Sequence, residues 1–243
     1  MLSASISHRK TEPQASTIKD GDTSSAETIA TTTIRHANTS ARASKSRGPS
    51  LQWWLMAIPS FLISAHGALF FTGMTPGDPE IKARILSSTG GCVHIAGSFV
   101  AMGLGPFQFL PSLRRHYPAI HRWLGWVYAA AVTFGGVAAF YVTFHSLALP
   151  WGRVGFALLA CAWLETLRRS ILAIRRDADL KSHRAWMTRN FALTYAAAML
   201  RWQFPLMLVS GMEARFALSL TGFSCWIPNL VFVEYLVLGG LAK

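Results

Sequence analysis

Read for apolar and polar positions, the chain changes character near residue 50. It runs without a charged side chain from Gly48 to Gly77, from Ile85 to Leu113 and from Trp123 to Gly152. Each window exceeds the roughly 20 residues that a helix needs to cross a bilayer. Three more apolar stretches hold charged residues: 154–174 with Glu165 inside it, 186–208 with Arg201 inside it and 216–238 with Glu234 near its end. The pattern predicts an all-α protein, a six-helix transmembrane bundle with spans at about 51–72, 88–111, 122–146, 154–174, 186–208 and 216–238. Spans of this length are helical because backbone amides in lipid need internal partners, and the alternation of a barrel strand is absent.

Residues 1–50 lack this patterning. They are rich in Ser and Thr and have too few apolar residues to offset the entropy of ordering, so a disordered cytoplasmic tail is expected there. Glu12, Asp20, Asp22 and Glu27 argue against a transit peptide, and no apolar signal core is present.

Composition sharpens the membrane reading: 51% of residues are hydrophobic and 14% charged, against about a quarter charged in an average soluble domain. The net charge of +12 sorts by topology. With six spans, Arg42, Lys45, Arg47, Arg114, Arg115, Arg122, Arg168, Arg169, Arg175, Arg176, Lys181, Arg184, Arg189 and Lys243 share the side of both termini. Only Lys82, Arg84, Arg153 and Arg215 fall opposite. That bias places both termini in the cytoplasm of a cell-membrane protein. It makes anionic headgroups of the cytoplasmic leaflet the expected partner and excludes nucleic acid, since the basic residues sit at membrane edges. Cys92, Cys161 and Cys225 have no paired spacing and read as packing residues.

Ionisable groups inside spans cost about 2.5 to 3.5 kcal/mol each on insertion scales and point to function or to buried pairs. His66, His94 and Arg201 fall in the outer third, Glu165 near mid-depth, and His116, His121, His183 and Glu234 at the cytoplasmic edge. His183 and Arg201 are five helical turns apart, and Asn190 and Thr194 lie close to the same line, so one polar stripe runs along the fifth span. Arg201 either clamps Glu165 across two helices or serves as counter-charge for a small anionic or lipidic solute. At the end of the second span, Pro106 breaks the last turn and Gln108 is expected to satisfy freed backbone groups.

A short echo, His121-Arg122-Trp123 and His183-Arg184-Ala185-Trp186, opens the third and fifth spans on one face. Two imidazoles at equal depth could ligate b-type haem iron, with Arg122, Arg184 and Arg189 on the propionates. His66 and His94 form a second candidate pair, and His116, His121 and His183 a weaker zinc or copper cluster. The bland alternative is that the His-Arg motifs are headgroup anchors. The leading expectation is electron transfer through haem b to a redox partner. A non-redox carrier, or an assembly protein in a homo-oligomer, is the alternative.

The series His94, Gly105-Pro106-Phe107-Gln108-Phe109, Arg114, His121-Arg122, Gly125, Tyr128, then His183 through Thr194, Arg201, Trp226, Asn229 and Glu234 resembles the multi-pass membrane proteins of domain of unknown function family 2306. The likeness covers about residues 60–238. It implies a membrane protein and singles out His94, His121, His183, Arg201 and Glu234, but implies no reaction. A looser similarity, to cytochrome b and ferric-reductase bundles, implies haem ligands on the third and fifth spans. Those proteins place a second histidine about four turns on, where this chain has Gly135 and Ala197.

Overall fold

The structure is a computed structural model that describes residues 48–75 and 79–239; the expected tail, except for residues 48–50, lies outside the described residues. The described chain is helical, with no strand. Its elements are α1 (Leu51–Leu69), α2 (Pro79–Leu86), α3 (Thr89–Gln108), α4 (Pro111–His116), α5 (Pro118–Phe144), α6 (Pro150–Arg175), α7 (Leu180–Thr194), α8 (Ala196–Val209), α9 (Ala214–Ser224) and α10 (Ile227–Phe232). Local chemistry sets the ends. Ser50, Ser88, Asp179 and Glu213 accept first-turn amides of α1, α3, α7 and α9, while α4, α5, α6 and α10 open with proline in the first turn, where its missing N–H costs nothing. After α1 a single 3-10 turn, Phe70–Thr72, closes on Gly73 at φ +75°, a left-handed position suited to glycine.

Among the described residues, four segments are long and apolar enough to cross a membrane: Leu51–Thr72, Thr89–Gln108, Pro118–Phe144 and Ala214–Leu238. The fourth and fifth predicted spans are helical but fall short on apolarity. Arg153, Glu165, Arg168, Arg169 and Arg175 all stand on α6, and Lys181, Arg184 and Arg189 on α7. Two spans are also not single helices. The fifth breaks at Tyr195, and the sixth breaks at Cys225–Trp226 and ends in a π-helical turn, Val233–Leu238.

Small residues bring the helices close. A Cβ on Gly97 of α3 would stand 2.8 Å from the Cα of Gly135 of α5, and one on Gly152 of α6 would stand 2.4 Å from the Cα of Ser219 of α9. Between these contacts Met102, Tyr128, Val132, Trp163, Leu167, Phe191 and Leu193 form the core where α3, α5, α6 and α7 meet. Outward faces are apolar: Leu62 and Phe134 are each 66% exposed, as expected of side chains whose solvent is lipid.

Candidate functional site

The polar stripe divides into two unlike halves. On α7, Asn190 and Thr194 are buried within a closed set of hydrogen bonds. Tyr128 of α5 donates its hydroxyl to Asn190 Oδ1 at 2.7 Å and lies 3.0 Å from Thr194 Oγ1. Asn190 Nδ2 donates to the Trp163 carbonyl at 2.7 Å and to Thr166 Oγ1 at 2.9 Å, and Trp163 Nε1 donates to Thr194 Oγ1 at 2.9 Å. Three helices are thereby pinned with every side-chain group satisfied, which makes this part of the stripe architecture. The period of the fifth span located Asn190 and Thr194. Their partners Trp163 and Thr166 were not singled out, and their signal was their nearness in sequence to Glu165.

Arg201, on α8, has a different environment. Nη1 donates to the carbonyl of Ala197 on its own helix at 3.0 Å, and buried Nε has no partner. The expected Arg201–Glu165 clamp is not formed. Glu165 turns outward and pairs with Arg168 at 2.6 Å and Arg169 at 2.7 Å, both on its own helix at the i+3 and i+4 spacings. Glu234 pairs across helices with Arg189 through both guanidinium arms. Arg189 and Arg169 lie 4.5 and 4.8 Å from the ring centre of Trp186, so Arg189 is already engaged and is not left over for a propionate.

Arg201 lines a cavity of about 500 Å³ that also reaches His66 of α1, His94 and Ser98 of α3, and Thr194. The volume lies within the roughly 300 to 1,000 Å³ of small-molecule pockets. Among the described residues, no carboxylate lines it. Its remaining cations are occupied: Lys82 donates to the carbonyls of Thr75 and Gly73, and Arg84 pairs with Glu80 at 3.3 Å. Phe156, Leu159, Leu200 and Phe204 supply apolar wall, and Ala139, Ala160, Ala196 and Ala197 leave the space open. His94 Nδ1 lies 3.1 Å from the Gly135 carbonyl, which leaves Nε2 to face other groups. Gly135 and Ala197, each fourteen residues beyond a histidine of the His-Arg echo, thus serve here through their carbonyls, Gly135 for His94 and Ala197 for Arg201.

The opposite, basic end gathers other predicted residues. His183 Nδ1 lies 2.9 Å from the Ser170 carbonyl and 3.0 Å from its hydroxyl. His121 Nδ1 is buried with no partner. Gln108 Nε2 is also buried without a partner, so it does not satisfy the freed helix end as expected. Trp53 Nε1 takes that role, donating to the Pro106 carbonyl at 2.8 Å, while Arg114 Nη1 lies 3.4 Å from the Gln108 carbonyl. Arg122 and Arg184 are exposed. Asn229 donates to the carbonyls of Ala192 and Cys225 at 3.1 Å and ties α10 to α7 and α9. His116 is exposed on α4 with Nδ1 at the Ser112 carbonyl, and no group of three metal-ligating side chains occurs among the described residues, so the zinc or copper cluster is not formed. Between α6 and α7, the Ser182 hydroxyl and amide and the Lys181 amide hold the Asp179 carboxyl below the usual carboxylate range. Burial, then the Arg184 and Arg115 guanidiniums, push the Arg114 pKa down.

Compared with known proteins, residues 91–237 match a family described as predicted membrane protein, DUF2306. No curated protein and no solved structure matches the chain.

Proposed function

We propose, from the premise that this chain belongs to the DUF2306 family of predicted membrane proteins, that it binds and carries a small amphipathic anion, with Arg201 as the counter-charge. In this reading the chain spans the cell membrane six times with both termini cytoplasmic, the fourth and fifth spans keeping their charged residues, Arg201 apart, at helix ends or turned toward headgroups. One observation supports the reading above others: a half-buried guanidinium whose buried Nε has no partner lines a cavity that has no carboxylate among its described lining residues. An arginine left so in an apolar interior is expensive unless an anion completes it, and the apolar walls suit a ligand with a hydrocarbon body. The test uses the full chain in non-ionic detergent with decanoate, decanol and decyltrimethylammonium as probes. Decanoate alone should raise the melting temperature, and Arg201→Gln should abolish the rise while the protein stays folded. Equal stabilisation of wild type and Arg201→Gln, or none of the wild type, overturns the proposal.

A second reading, b-type haem, rests on the Ser170 carbonyl beside Nδ1 of His183, which leaves Nε2 of that ring free; His121 has no such orienting partner. His121 and His183 would then be the axial ligands, with Arg122 and Arg184 available for propionates, and His66 and His94 an outer pair. Bound haem would supply one-electron chemistry. Sharp low-spin bands on dithionite reduction, with about one haem per chain by pyridine haemochrome, would support it. A colourless protein made with ample haem would overturn it.

A further inference from the structure

The basic end of the bundle holds two buried polar atoms that nothing in the fold satisfies. Gln108, at the last turn of α3, is 8% exposed and its Nε2 has no acceptor; His121, in the first turn of α5, has an unpartnered Nδ1. They are neighbours. A Cβ on Gly125, one turn beyond His121, would stand 3.4 Å from Gln108 Oε1, so the amide lies against that face of α5. Arg114 reaches the Gln108 carbonyl at 3.4 Å. Burial, then the Arg184 and Arg115 guanidiniums, push its pKa down. Among the described residues, no carboxylate lies within ion-pair distance of Arg114. Asp179 caps α7, Glu165 holds Arg168 and Arg169, and Glu234 holds Arg189, while Asp177 forms no ion pair.

Unfilled polar atoms beside an unneutralised guanidinium describe a receptor for an oxyanion. We propose that Gln108, Arg114 and His121 frame a phosphate site, filled by the phosphodiester of an anionic lipid headgroup or by free inorganic phosphate. Gln108 donates one hydrogen bond, the His121 tautomer with a proton on Nδ1 donates a second, and Arg114 supplies charge. The site is separate from the outer cavity, so its failure leaves the Arg201 reading untouched; it competes with haem for His121.

The test is made on the full chain in non-ionic detergent. Native mass spectrometry measures retention of dioleoyl phosphatidylglycerol against dioleoyl phosphatidylcholine, and thermal shift measures inorganic phosphate against chloride at equal ionic strength. Wild type should retain phosphatidylglycerol preferentially, and Arg114→Gln should weaken that retention about tenfold, as loss of one charge-assisted contact does. Arg176→Gln, which removes a charge at the same end outside the cluster, should leave it unchanged. Gln108→Leu keeps shape and net charge and should also weaken binding, so the site remains testable if Arg114→Gln does not fold. Stabilisation by inorganic phosphate identifies the free anion, and phosphatidylglycerol binding without it identifies the headgroup; either supports the site. Absence of binding by both probes, or equal loss in Arg114→Gln and Arg176→Gln, overturns it.

Discussion

Asn190 and Arg201 belong to one polar stripe, yet the structure treats them in opposite ways. Around Asn190, donors and acceptors from three helices satisfy one another. Around Arg201 a guanidinium meets only its own helix and an open cavity. A polar residue in an apolar bundle is therefore not informative in itself. What separates scaffold from binding site is whether the neighbours complete its hydrogen bonds.

That contrast can be broken most forcefully at the satisfied half. Asn190→Leu removes three hydrogen bonds and, at about 0.6 kcal/mol for each interhelical bond in a membrane protein, should lower unfolding stability by about 2 kcal/mol; denaturation in mixed micelles would measure it. A loss near zero would mean that the pins are ornamental and would dissolve the comparison. Arg201→Met should act with the opposite sign. With no ligand added, removing an uncompensated buried charge should raise stability by about 1 kcal/mol, and destabilisation would show that Arg201 has a structural partner. The smallest effect belongs to Glu165→Gln. Because its carboxylate is exposed and paired only along α6, the melting temperature should not move measurably. A large drop would restore the interhelical clamp.

The helical class and the position of the stripe were legible because both depend on periods internal to one segment. His183, Asn190, Thr194 and Arg201 lie on one line whatever α7 and α8 pack against. Which groups face that line depends on the rotation of α5 and α6, and no single-helix period encodes it. Hence Tyr128, Trp163 and Thr166 emerged as partners only in three dimensions. Glu165 shows the other failure. Its outward pairing follows the local i+3 and i+4 rule, which needed no partner helix, whereas the Arg201 clamp was inferred from depth alone. The cavity was illegible for a different reason: Ala139, Ala160, Ala196 and Ala197 make it by what they lack, and alanine in an apolar helix looks the same whether it meets a neighbour or a void. The break at Cys225–Trp226 had a signal in Pro228, just inside the following helix.

The interruption at Tyr195 has a mechanical consequence. The Tyr195 carbonyl accepts from both Ala198 and Met199, at 3.0 and 3.2 Å, so the rod is jointed immediately above its pinned half. If a guest enters as proposed, the joint would confine the movement that admits it to the fourteen residues beyond it, Ala196–Val209.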